Sequence, residues 1–269
     1  MGCFGAVCVL VVACAAGVGA RPNVLLVIAD NMRPSMGLYG DAFARTPHLD
    51  AHFQTRGSRL FSRAYCQVAW CAPSRNSFLS GRYPMQTLAY NFLSSFRTAP
   101  GGENWVSLPQ FFKEAGYYTT SVGKVFHPGL PKDFDYPKSW SDVPYFPVKP
   151  QCPNHTMYCE LPASEVLTDS NCTREALERM TNRPQDAPFF LAVGYQAPRL
   201  PWRFSSEVAS KYPPVQSFPI PSNRNATSGL RFEWFRLEKQ EDQPNAIFFL
   251  SFSHCFFLLG RMRLTCIPT

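Results

Sequence analysis

The sequence predicts an α/β domain, and three observations carry the prediction. Two short, nearly unbroken apolar runs, Asn23–Ile28 (NVLLVI) and Phe189–Tyr195 (FFLAVGY), have the composition of strands buried on both faces, hence parallel and central. Helical patterns stand between them, so strands and helices alternate along the chain. Asp30 then falls at the carboxyl end of the first run, the edge where open α/β sheets gather their ligands.

The elements follow in order. Residues 3–20 are apolar, uncharged and end in small residues, with Val18 and Ala20 suited to signal peptidase and a mature start at Arg21. A membrane anchor is the alternative, and the segment is about the minimum length for a span. Thr46 and Pro47 open a helix running to about Arg56 and ended by Gly57, and Arg59–Tyr65 reads as a strand. Pro73–Leu79 forms a short helix with Cys71 just before it. Ser107 caps a helix reaching Ala115, with Leu108, Phe111 and Phe112 on one face and Gly116 as its stop. Tyr118–Val122 is a strand, 128–165 is Pro-rich and irregular, and Thr173–Met180 is helical. From about Leu230 the style changes. Ala246–Leu259 is apolar without a strand or helix period, and is too short and too polar in its middle for a stable membrane span.

Composition narrows the function classes. With 269 residues, 45% hydrophobic and 17% charged, the chain is globular and makes one large domain or two small ones. The net charge of +7 is scattered without a Lys/Arg-rich run, so nucleic acid is not an expected partner, while an anionic substrate suits the balance. Three sequons, at Asn154, Asn171 and Asn225, fit the secretory route. Removal of a leader would take Cys3, Cys8 and Cys14 with it. Seven cysteines would remain (66, 71, 152, 159, 172, 255 and 266), an odd number that leaves at least one unpaired or chemically committed. Cys152 and Cys159 close a short loop. That spacing suits a disulfide, or a zinc site for which His155 alone makes a poor ligand set.

The sharpest motif is Cys71-Ala-Pro-Ser-Arg75, continued by Leu79-Ser-Gly-Arg82. A cysteine at a helix start is favoured as thiolate, so an unmodified cysteine hydrolase is one reading. However, C-x-P-S-R with L-[ST]-G-R at this spacing resembles the sulfatase signature. The resemblance implies oxidation of Cys71 to formylglycine by the formylglycine-generating enzyme. The chemistry is coherent, because a hydrated aldehyde carries two hydroxyls on one carbon. One attacks sulfur and displaces the alcohol, and deprotonation of the other expels sulfate. Arg75, one turn on, would hold the hydrate oxygens, and the helix N-terminus would favour negative charge there.

The same resemblance assigns further residues. Asp30, Asn31 and the modified Cys71 would be ligands of one calcium ion, with Asn31 standing where the family usually has a second Asp. Gly123-Lys124-Val-Phe-His127 looks like the family's G-K-x-x-H element, placing Lys124 on a sulfate oxygen and His127 at the hydrate or sulfate. The disulfide Cys152–Cys159 is likewise implied. Runs at 33–41, 111–129 and 188–195 resemble the lysosomal branch that removes 2-O-sulfate from iduronate in heparan and dermatan sulfate, so sulfated glycosaminoglycan is the implied substrate. The resemblance covers roughly Pro22–Pro213. It implies an alkaline-phosphatase-like sandwich with a central mixed sheet, incomplete at the C-terminus.

Two departures stand out. Gln196-Ala-Pro-Arg199-Leu-Pro201 replaces the family's H-x-P-H-x-P, so both histidines are absent and Arg199 cannot carry a proton as a neutral base. No D-H-G segment with further metal ligands occurs, the likeness fades near Gly229, and 230–269 is not family-like. Little turnover is therefore expected of the chain as it stands. The competing class is an inactive sulfatase-like protein that binds sulfated glycan.

Overall fold

The computed structural model describes residues 7–14, 21–54, 58–162, 164–214, 217–218 and 256–262. Its centre is a five-stranded mixed sheet. The strands are β1 (Val7–Cys14), β2 (Asn23–Asp30), β3 (Tyr118–Gly123), β5 (Phe189–Tyr195) and β7 (Phe256–Met262), in the order β3-β5-β2-β1-β7. β3, β5 and β2 run parallel, β1 joins β2 antiparallel, and β7 joins β1 parallel. A two-stranded sheet pairs β4 (Tyr158–Leu161) with β6 (Trp202–Ser205), also parallel.

The helices are α1 (Pro47–Phe53), α2 (Cys71–Ser80), α3 (Pro84–Thr87), α4 (Leu108–Glu114) and α5 (Thr168–Asn182). A separate compact unit, Ser206–Leu250, contains the short helix α6 (Ser206–Ala209), beside which Lys211 pairs with Glu207.

Two apolar cores flank the parallel strands, and β5 feeds both because strand side chains alternate. Phe190 and Ala192 join Val24, Leu26, Ile28, Leu79, Phe126 and Trp140 in one core. Phe189, Leu191 and Val193 pack with Val122, Cys172 and Ala176 in the other. Six successive residues of β5 are buried, as its apolar run predicts. β2 is central, yet its residues alternate between half-buried and buried, so it is fully covered on one face only.

Local signals set the helix boundaries. Ser107 Oγ accepts from Gln110 N at 3.2 Å and caps α4, whose inner contact is Phe112 stacked on Phe190 at 4.6 Å between centroids. Phe111 turns outward and is 60% exposed, against expectation, while its neighbour Phe112 takes the inner place on Phe190. Gly81 ends α2 in the left-handed region, φ 66°, where glycine carries no Cβ penalty. α5 begins five residues before the predicted Thr173, its first turn carrying Asp169.

Three further expectations change. Arg59–Tyr65 is not a strand. Leu60, Phe61 and Tyr65 are exposed, and the segment joins neither sheet. The irregular 128–165 stretch contains β4, which a four-residue pairing with distant β6 creates. Phe256–Met262, within and just past the apolar tail, is a strand because pairing with β1 satisfies its backbone. Gly57 and Phe232–Glu241 lie outside the described residues.

Cys152 and Cys159 form the disulfide, with Cα atoms 5.7 Å apart. Cys71 and Cys172 remain thiols, and burial pushes Cys172 up to about 12, helped by Asp169 and Glu175. Among the described residues, no helix is long and apolar enough to cross a membrane.

Candidate active site

The site is built at the carboxyl ends of β2, β3 and β5. Asp30 ends β2, Lys124 follows β3, and Gln196–Arg199 leaves β5. Two glycines allow these ends to converge. Gly123 has φ 73°, and a Cβ on Gly194 would collide with the carbonyl of Lys124 and lie 2.6 Å from Val125 N. Lys124 N donates to Gly194 O at 2.7 Å across that contact.

Cys71 is the first residue of α2, not a residue ahead of it, with Trp70 as the extended N-cap. Pro73 is tolerated because a first-turn N–H has no intrahelical acceptor. Arg75 lies one turn on, along the same face. The guanidinium is wholly buried. It donates to the backbone oxygens of Lys124 and of Val125 (2.8 Å) and to Asp30 Oδ1 (2.9 Å). Its Nε–H is buried without an acceptor among the described residues.

Asp30 is the electrostatic hub. Lys124 Nζ donates to its Oδ2 at 2.6 Å, and Arg199 Nε stands 3.8 Å from the same oxygen. Burial alone would raise the Asp30 pKa, yet Arg75 and then Lys124 outweigh it and hold the carboxyl below its usual value. Burial also pulls Lys124 below a free lysine, and Asp30 restores only part of that. One carboxylate thus faces three cations, so the centre carries an excess of positive charge. Cys71 lies within electrostatic reach of Lys124.

His127 completes the group. Burial, then Lys124, lowers its pKa to about 4, so it is neutral at neutral pH. Its Nδ1 lies 3.1 Å from the Pro128 carbonyl. A carbonyl only accepts, so Nδ1 carries the hydrogen and Nε2 presents a lone pair. Arg199 lies between the cis peptides Ala197–Pro198 and Leu200–Pro201 and is 45% exposed. The loop holding it is pinned by Asp169, whose two oxygens accept from Gln196 N and Ala197 N, each at 2.8 Å.

The structure brings Asp30, Cys71, Arg75, Lys124 and His127 into one electrostatic group and adds Arg199 at its open side. Sequence reasoning missed Lys149, which donates to the Arg199 carbonyl. Burial lowers its pKa to about 8, opposed by Asp169. It also missed Asp169 as the loop's anchor. Both lie far from the motifs in sequence, and only the acidic first turn of α5 hinted at the second.

Two absent groups are implied. Residue 71 fits formylglycine: the signature is intact, the residue opens a helix, and the orphaned Arg75 Nε–H one turn on is a donor awaiting an oxygen. Calcium fits poorly. Asp30, Asn31 and residue 71 are three donors where calcium takes about six to eight oxygens. Both oxygens of Asp30 are already engaged by cations. Among the described residues there is no cluster of three or more acidic, His or Cys side chains that could hold a metal.

With this geometry in hand, comparison with known proteins assigns the class. The family described as Sulfatase matches residues 22–229, and the chain belongs to the sulfatase family. Within it, the chain is 37% identical to mouse iduronate 2-sulfatase over 263 residues, covering 89% of this chain and 47% of that protein. It is 38% identical to the human iduronate 2-sulfatase over 244 residues, covering 82% and 43%. Rat N-acetylgalactosamine-6-sulfatase is 30% identical over 220 residues, covering 70% and 41%. The chain thus spans less than half the length of these relatives. A solved structure in complex with its substrate D-glucosamine-2-N,6-O-disulfate shares the fold, with a TM-score of 0.56 at 21% identity, covering 76% of this chain and 40% of that one.

Proposed function

We propose that the protein is a sulfuric ester hydrolase of the iduronate-2-sulfatase type, removing 2-O-sulfate from iduronate in heparan and dermatan sulfate, with residue 71 as formylglycine. The observation that carries this reading is the convergence of Cys71, Arg75, Lys124 and His127 around a positively charged centre in a sulfatase-family chain. Formylglycine at 71 supplies a hydrated aldehyde, with one hydroxyl for attack on sulfur and one for expelling sulfate.

The chain's own residues do the rest. Lys124 Nζ and the Arg199 guanidinium exceed what Asp30 neutralises, so a sulfate oxygen is held by Coulomb attraction in a partly water-excluded site. Arg75 fixes Asp30 and the 124–125 backbone, and its Nε–H is left for an oxygen at residue 71. His127 is neutral at rest, so its Nε2 lone pair can accept a proton, the ring becoming cationic as it does so. Secretory and lysosomal routing, suggested by residues 3–20 and by Asn154 exposed on the disulfide loop, belongs to the same proposal, as does maturation by the formylglycine-generating enzyme.

The test is sulfate release from a 2-O-sulfated iduronate disaccharide by protein secreted from cells with that enzyme active. Release, expected to be low for a chain that spans less than half the length of its relatives, should be abolished in Cys71→Ala and fall by roughly 10²–10³-fold in Lys124→Ala, the usual loss for a preorganised charge donor. Equal release by Cys71→Ala would sink the reading. The engagement of Asp30 by cations favours one alternative, a sulfated-glycan binder without turnover. Disaccharide binding with no sulfate release would select it.

A further inference from the structure

Arg199 is the most exposed of the three cations around Asp30, and its place is set by a segment that the chemistry above leaves unused. Residues 145–149 (Tyr-Phe-Pro-Val-Lys) lead from the edge of β3 to the loop after β5. At one end Tyr145 bridges to Val122, its carbonyl accepting from Gly123 N at 2.7 Å and its N–H donating to Ser121 O at 3.0 Å. Phe146 packs on Phe134, 5.3 Å between ring centroids. Pro147 and Pro150 fix their own φ and bias the residues before them, Phe146 and Lys149, to extended backbone, so the segment is stiff. At the other end the Pro147 carbonyl accepts from Gln196 Nε2 at 2.8 Å, and Lys149 Nζ donates to the Arg199 carbonyl.

The loop is therefore gripped from two sides. Asp169 takes the N–H groups of Gln196 and Ala197, and Lys149 takes the carbonyl of Arg199. Between the two grips, Arg199 N donates back to Gln196 O at 3.0 Å and closes a turn. A long side chain on an unheld loop must be ordered before it holds an anion, and a backbone fixed in advance removes part of that cost. Lysine is a costly clamp here, being half-buried and near Arg199 and Arg203. Asp169 offsets that repulsion, and the group stays charged at neutral pH with a pKa of about 8.

We propose that Lys149 is a positioning residue for anion binding: through the Arg199 carbonyl it holds the Arg199 guanidinium beside Asp30, where a sulfate oxygen is taken. This role deepens the hydrolase reading and rests on it. Lys149 acts through Arg199 and not on the sulfate.

Calorimetric titration of the full chain with inorganic sulfate, in a double-mutant cycle over Lys149 and Arg199, tests this. Lys149→Met keeps the apolar stem and removes the donor. It should weaken sulfate binding about fivefold, as Arg199→Ala does, the upper range for a half-exposed charge contact. In the Arg199→Ala background, Lys149→Met should have no further effect. Lys149→Arg keeps both charge and donor and should retain most of the wild-type affinity. Equal weakening by Lys149→Met with and without Arg199 would put Lys149 on the anion itself or in the general fold, and overturns the positioning role. Unchanged affinity in Lys149→Met, or a loss in Lys149→Arg as large as in Lys149→Met, also overturns it. Each of these leaves the hydrolase reading intact, whereas a wild type that binds no sulfate overturns both.

Discussion

His127 shows how one side chain's surroundings set its chemistry. An ordinary imidazole titrates near 6.5, but burial and the charge of Lys124 move this one to about 4. The depressed value also acts on stability. Between about pH 6.5 and 4 the unfolded chain takes up a proton that the native site rejects. The contribution is therefore whole above about 6.5 and is lost as pH falls toward 4. NMR titration of the imidazole should give a midpoint near 4, and His127→Gln should show a flatter fall of stability across that interval. A midpoint near 6.5 would mean the ring is solvated and away from Lys124. The place of His127 beside Lys124 is what the resemblance of the G-K-x-x-H segment implied, whereas its pKa was not legible. That value depends on Lys124, Arg75 and Asp30 meeting in space, and no local pattern encodes their separation.

Elements were legible wherever the signal was local. The β5 run, the Ser107 cap and the Gly116 stop each depend on a few neighbouring residues, and each stands as read. The failures share a cause. Arg59–Tyr65 has strand composition but no strand beside it in either sheet, and β4 has little strand signal but finds β6 some 40 residues away. Lys149 and Asp169 act on the Gln196–Arg199 loop through neighbours distant in sequence, so their types alone carried no meaning. The ends of β3 and β5 approach each other closely. Gly194→Ala would place a Cβ against the Lys124 carbonyl, with rigid backbone on both sides. We expect a loss of about 2–3 kcal/mol, at the upper end of overpacking, measured by urea unfolding. Because that contact positions Lys124, sulfate affinity should fall as well. Wild-type stability in Gly194→Ala would show that the strand ends are further apart.

At the scale of the whole molecule, the sheet places Asp30, Lys124 and Arg199 at one edge, where α2 brings Arg75. Parallel β2, β3 and β5 aim their carboxyl ends the same way, so Asp30, Lys124 and Arg199 meet although nearly 170 residues separate the first from the last. β1 covers the other side of β2 by antiparallel pairing. Cleavage after Ala20 would remove β1 and leave that edge of β2 unpaired, a surface prone to association. The charge balance is also a property of the whole fold. Asp30 with three cations is poor in metal donors and rich in anion attraction, which sets this chain apart from a preformed calcium cage. The proposed chemistry centres on residue 71, one helical turn from the buried Arg75 and within electrostatic reach of Lys124. The most direct measurement is mass spectrometry of the tryptic peptide containing Cys71, from protein secreted by cells in which the formylglycine-generating enzyme is active. The account predicts the aldehyde mass at residue 71, and a peptide carrying only thiol or disulfide at that position would contradict it.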